Sequence, residues 1–318
     1  MKLTDLSILF VIIVLPFILI LRIKSENLQN AAYKSEVINR YLDAAVEDAS
    51  EAMIIRGVDK EIEISCENAV NTFFNTLFIN FNVGGDERAK SLLSAYIPVI
   101  VLIDYDGYFV MSMEEYTNSK GEAEQKMIWK PKKPYVYESG GFIYLFTLEQ
   151  KVTVYSSSSK RFYEGLPEDI KVNLPAADVL ENGLFDDVRK RTIVESIKND
   201  VNAAINKHNK YAVRFGITYN FSPPSISDGD WQRNIEDVGF LAFFQGLPIG
   251  LNGQRYNSFA LGAARIVRKS IYYIEKGAND LFYYHRDKCQ VLTERNKPYD
   301  SREECALDGA FPCPVCSP

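Results

Sequence analysis

Histidine is nearly missing from this chain: 318 residues carry two, His208 and His285. Nucleophilic and general acid–base chemistry leans heavily on that side chain, so little is left for an enzyme to work with. His208 falls on the apolar side of a helical stretch, where a satisfied, half-buried structural role is expected. Phosphate-binding loops are missing too. Gly84-Gly85 and Gly140-Gly141 lack the lysine and the strand–helix context that such a loop requires. Asp104 and Asp106 flank a turn and read as solvated or capping groups. No excess of positive charge exists either: a formal net charge of −6 gives no long-range pull towards nucleic acid or anionic lipid. The chain is therefore read as non-enzymatic, with no nucleic-acid partner.

Cysteine is scarce outside one place. Cys66 stands alone, while Cys289, Cys305, Cys313 and Cys316 crowd into the last thirty residues. An odd total so distributed reads as one local site rather than a disulfide framework spread over a fold. What remains is ordinary globular composition, 47% hydrophobic and 25% charged, which argues against disorder. Nineteen tyrosines and nineteen phenylalanines make aromatic packing the expected basis of the core.

One long apolar run is present. Leu6 to Leu21 holds no charge and spans roughly 24 Å as a helix, a little short of a ~30 Å hydrocarbon layer, with Lys2, Arg22 and Lys24 placed to snorkel. No small-x-small site follows it for cleavage as a signal peptide. A buried core helix is the other alternative. The expectation is a single-pass anchor over residues 1–24, bent at Pro16, at the cell membrane. The bulk is expected outside the cytoplasm, although Arg22 and Lys24 count the other way.

A stalk helix is expected at 25–57. Leu28, Ala31, Ser35, Ile38, Leu42, Ala45, Ala49 and Ala52 recur at alternating spacings of three and four, a heptad seam. Its alanines demand close approach of whatever packs on it, either the chain's own domain or protein partners, including copies of itself. Gly57 is expected to cap it. The body, 58–280, reads as α+β with an antiparallel sheet of modest size. It contains a helix through 60–80, with Ile64, Ala69, Phe73, Leu77 and Phe81 on one face. A hairpin over Tyr96–Met113 turns at Asp106-Gly107. Strands follow at Gly141–Leu148, Lys151–Tyr155 and Tyr211–Tyr219, with a loop at 156–160 and another at 221–230. A helix at 187–208 places Val194, Ile197, Val201, Ala204 and His208 together. Val238–Leu251 is apolar and broken by Gly246, Pro248 and Gly250. Ala260–Ile274 fits strand or helix.

The tail, 281–318, carries two ligand pairs, His285-x3-Cys289 and Cys313-x2-Cys316, separated by twenty-three residues. Short pairs suit a tetrahedral ion, each placing two donors at ~2.0–2.3 Å, and Pro312 and Pro314 stiffen the second. The expectation is one structural Zn2+ bound by His285, Cys289, Cys313 and Cys316, set against two disulfides among Cys289, Cys305, Cys313 and Cys316.

Three resemblances accompany these patterns. The tail, through SREECALDGAFPCPVC, resembles the zinc module of the Ada DNA-repair protein, in which the first of four cysteines accepts a methyl group. His285 stands at that first position, so the resemblance implies the zinc knuckle without the repair chemistry, and Cys305 belongs to the helix of the motif as core. The anchor and stalk resemble pilin-like and TadE-like envelope proteins, implying a structural or assembly subunit of a cell-envelope machine, although no prepilin cleavage site precedes the run and Asp5 replaces the usual Glu. The hairpin IVLIDYDGYFVMS resembles PAS/Cache-type sensory domains, implying as the alternative an extracytoplasmic ligand-sensing module that acts through a partner chain.

Overall fold

A computed structural model describes residues 3–56, 62–181, 183–222, 237–251, 253–263, 272–277, 279–286, 289–293, 295, 297–299 and 302–316, with backbone alone at 3–9, 56, 62 and 303. The chain divides into two units, Met1–Arg265 and Ile266–Pro318.

The first unit begins with α1 (Leu3–Ala52), 50 residues of continuous helix running through Pro16. The anchor expected at residues 1–24 does not stand. Among the described residues no helix is long and apolar enough to cross a membrane. The uncharged run covers only about 24 Å of a ~30 Å layer. The helix then passes into Arg22, Lys24 and Glu26, with Arg22 Nε donating to Glu26 Oε1 at 2.9 Å on an exposed surface. Single-pass localisation at the cell membrane and the pilin-like plan that rested on the anchor fall with it.

Further elements follow: β1 (Ile54–Arg56), β2 (Ile62–Ile64), α2 (Cys66–Asn80), α3 (Glu87–Ser94), β3 (Val99–Asp104) and β4 (Gly107–Thr117). Next come β5 (Ala123–Trp129), β6 (Lys133–Ser139), β7 (Phe142–Phe146), β8 (Val152–Ser156) and β9 (Arg161–Gly165). The unit closes with α4 (Pro167–Asn173), α5 (Leu184–Ala212), β10 (Gly239–Pro248) and β11 (Arg255–Ala263). Gly57, the expected cap of α1, lies outside the described residues, as does most of the loop expected at 221–230. The second helix starts at Cys66 rather than near 60. Ser65 caps it by accepting from Asn68 N–H at 3.1 Å, and Ile62–Ile64 is instead a strand paired with Ile54–Arg56.

Nine strands form one sheet in the order β11-β10-β3-β4-β6-β7-β8-β9, with β5 also on β4, so the sheet is larger than expected. Its centre is β3, a β-branched run whose Val99–Ile103 are buried without exception. The β3–β4 hairpin is where the sequence placed it, but the two turn residues are Tyr105 and Asp106. Gly107 already pairs with Asp104. A Cβ on Gly107 would lie 2.4 Å from the Lys133 carbonyl, and this close approach is what requires glycine there.

The two sheet faces are covered by different helices. Phe240, which pairs with Leu102, meets Phe73 of α2 at 5.3 Å between ring centroids. On the opposite face Tyr108 donates its hydroxyl to Asp200 of α5 at 2.8 Å. The α5 residues Val194, Ile197, Val201, Ala204 and His208 are buried as the helical spacing predicted. The strand expected at Tyr211–Tyr219 does not form: α5 runs on to Ala212, and a single 3-10 turn ends at Gly216 with φ +74°.

From residue 31 onward the α1 seam faces the chain's own α2, β10 and β11. Ala31, Ile38, Leu42, Ala45 and Ala49 are buried, while Leu28 is exposed. The close approach that the alanines demanded is met by Gly262 of β11, where a Cβ would lie 2.3 Å from Ser50 Oγ. Tyr256 adds a hydroxyl bond to Asn39 Oδ1 at 2.7 Å.

The second unit is a four-stranded sheet, β14-β12-β13-β15, comprising β12 (Tyr272–Lys276), β13 (Phe282–Arg286), β14 (Pro298–Tyr299) and β15 (Phe311–Pro312), with a short helix at Arg302–Leu307. Of the undecided stretch Ala260–Ile274, Ala260–Ala263 and Tyr272–Ile274 are strand, and the residues between lie outside the described set.

Candidate metal centre

The backbone of the second unit brings the two ligand pairs together. His285 is the penultimate residue of β13, opposite Tyr273 of β12. The chain turns after Arg286, with Cys289 N–H donating to the Arg286 carbonyl at 2.9 Å, and this folds Cys289 back towards the His285 ring. Glu275 of β12 secures the following loop by accepting from Thr293 N–H at 3.0 Å, and that bond together with the Thr293 hydroxyl holds its carboxyl below the usual range. Gly309, at φ +80°, ends the short helix and sends the chain into β15. β15 runs parallel to β13, and Cys313 N–H donates to the Tyr284 carbonyl at 3.1 Å. Cys313 is thereby placed beside the strand that carries His285.

The result is a group of four donors. His285 Nδ1 lies 3.4 Å from Cys289 Sγ, and Cys289 Sγ lies 3.9 Å from Cys313 Sγ. All four ligand atoms, Cys316 included, fall within 4.8 Å of one another. Bonds of ~2.0 Å to nitrogen and ~2.3 Å to sulfur give tetrahedral edges of about 3.5 Å and 3.8 Å. Two of the separations match those edges, and the widest exceeds them by about an ångström. His285, Cys289 and Cys313 are buried and Cys316 is half-buried. The group can hold a metal ion.

Backbone amides support the sulfurs. Arg286 N–H donates to Cys316 Sγ at 3.3 Å and Val315 N–H to Cys313 Sγ at 3.4 Å. Burial works to raise the Cys313 thiol, but the amides of Val315 and Cys316 and the neighbouring thiols outweigh it, so its pKa falls. Burial pushes Cys316 up to about 11, helped by its thiol neighbours. Two adjacent thiols do not ionise independently, and a cation between them removes that conflict. Burial likewise lowers His285, favouring the neutral imidazole that ligates metals, against the opposing pull of Glu275.

Cys305 stands apart. It is fully buried against Tyr272, Tyr284 and Ala310, and burial raises its pKa to about 11. All five cysteines are free thiols. Sequence reasoning missed the supports: the Tyr284 carbonyl, Glu275, and β12 as the strand paired with His285. Their only sequence signal is the pair of aromatic runs YYIEK and FYYHR at matching distance from a turn. The other histidine is fully buried rather than half-buried, with His208 Nε2 2.9 Å from the Ala95 carbonyl. Lys132 bridges Asp104 and Asp106, which makes that pair a turn brace.

The class this geometry defines is a Cys3His group on a small mixed sheet, in a chain whose larger unit is α+β. Comparison with family models, curated proteins and solved structures finds no match to this chain.

Proposed function

We propose that this protein is a non-enzymatic structural or assembly subunit whose C-terminal unit is organised by one structural zinc ion. The observation that carries the reading is the convergence of His285, Cys289, Cys313 and Cys316 within 4.8 Å, with three of the four buried. Three thiolates and an imidazole in tetrahedral array suit zinc among the common divalent ions. Four protein donors close the coordination sphere, so no position is left for a substrate water, and the ion serves folding rather than catalysis. The Ada-type order of helix, Gly309-Ala310-Phe311-Pro312 and Cys313-x2-Cys316 supports a knuckle. His285 at the first position removes the thiolate that would accept a methyl group.

The sensing alternative needs a pocket against the hairpin strands. Val99–Ile103 are buried there, and a cleft of about 930 Å³ lies at α1 and β11, lined by Asp43, Ser50 and Gly262 among others.

Metal analysis of the full-length protein purified under reducing conditions tests the zinc reading. One zinc per chain is the expected result, with Cys289, Cys313 and Cys316 protected from thiol reagents until a chelator is added. Metal-free protein, or a disulfide involving Cys289 or Cys313 in peptide mass spectrometry, would overturn it.

A further inference from the structure

Among the described residues, the N-terminal part of α1 carries the longest run of exposed large apolar side chains. Eleven large apolar side chains between Phe10 and Ile23 are 48–65% exposed. At roughly 100 Å² apiece they present on the order of 1,100 Å² per chain, more than the ~800 Å² that a standard interface takes from each partner and well beyond the ~300–600 Å² patch of a typical monomer.

The apolar positions are not a stripe. At about 100° per residue, Ile13 and Phe17 point to one side of the helix, Leu15 and Ile18 to a second, and Ile12 and Leu19 to a third. A single neighbouring helix covers one of these sides and leaves two in water. The region therefore needs several neighbours at once. We infer that its occupant is the same region of other copies of this chain, packed as a parallel bundle of three or more α1 helices; this rests on the assembly-subunit reading above.

Three observations favour identical neighbours. No charge occurs from Leu6 to Leu21, so like meets like without repulsion over the whole contact. Just past the run Arg22 is balanced by Glu26 within its own helix, so parallel copies in register meet at that position as ion pairs, and Lys24 is long enough to turn its ammonium out to water. The area available from each copy also exceeds what a stable assembly needs. From residue 31 the helix is occupied by its own unit, which confines the bundle to the N-terminal end. Pro16 fits this arrangement, since its missing N–H weakens the helix's own ladder where side-chain packing with neighbours can hold it.

Sedimentation or light scattering of the full-length protein tests the inference. The expected mass is three or more times the 36.2 kDa chain. The double variant Ile18→Glu/Leu19→Glu is expected to drop to the chain mass, with the thermal transition of residues 31–263 and the zinc content unchanged. A wild-type chain that is monomeric at micromolar concentration, or an oligomer that survives the double substitution, overturns the bundle. So does a monomer that floats with phosphatidylcholine vesicles, because lipid rather than a second copy then covers the helix. Zinc measured on the same samples separates the two readings: a monomer with one zinc removes only the bundle, and a bundle without zinc removes only the knuckle.

Discussion

Met1–Arg265 closes on large side chains that exclude water by themselves, Phe73, Phe240, Phe244 and Tyr256 all being fully buried, whereas the buried cluster of Ile266–Pro318 is Tyr272, Tyr284, Cys305 and Ala310. The first unit has both faces of a nine-stranded sheet covered by helices. Among its described residues the second has four short strands, two of them only two residues long, and one short helix. Yet it is the second that collects four donor side chains. Units of this size rarely bury enough apolar surface to fold alone, and a metal ion is a common replacement for the missing core. On the zinc reading proposed above, the tail cysteines do for the small unit what phenylalanines do for the large one.

Substitution tests that contrast most severely at Cys313→Ser. The expected outcome is loss of the metal and of amide-exchange protection in residues 272–316, since apparent metal-binding free energies of such sites, on the order of 10–16 kcal/mol in zinc-finger peptides, are folding free energy. Protection in Val99–Ile103 should persist. If both units open together, their stabilities are not separate. The reverse cut is Phe73→Ala, which empties the contact with Phe240 and is expected to cost the first unit about 3–5 kcal/mol. Denaturant unfolding should report that loss, with metal content unaltered. The smallest effect concerns pH. Burial lowers His208 below its ordinary 6.5 in the folded state, with the Ala95 carbonyl opposing only in part. The unfolded chain therefore binds the proton more readily, and stability of the first unit should fall as pH drops below about 6.5. Urea midpoints followed from pH 7 to pH 5 check this, and His208→Gln should flatten the slope.

Much of the candidate site was legible in sequence, because ligand pairs at short spacing are a local signal and the turn geometry that unites them is local too. The supports were not, since a carbonyl such as that of Tyr284 carries no side-chain signature. In the fold, the β3–β4 hairpin and α5 could be read because their apolar periodicity is strong. β5 and β6 could not: their burial alternates only weakly, and β5 pairs along one edge of β4. A strand was expected at Tyr211–Tyr219 because its Tyr, Val, Phe and Ile favour strands locally, while continuation of α5 and the turn at Gly216 decided otherwise. The N-terminal run misled for a related reason. Hydropathy measures whether residues leave water, not what receives them, and sixteen uncharged residues in a fifty-residue helix are too few to cross a bilayer.

The bracing of α1 has a mechanical consequence. At about 1.5 Å per residue, the stretch from Phe10 to Ala31 reaches some 30 Å beyond the seam. A tilt of about 5° at its base would sweep the tip by nearly 3 Å. Ala45 and Ala49 are fully buried under the helix, Gly262 admits it to the backbone of β11 beside the cleft, and Tyr256 latches Asn39 from the side. Contacts on two sides of the helix oppose pivoting at its base, so any sideways displacement of the Phe10 end acts on the sheet as a lever of that length.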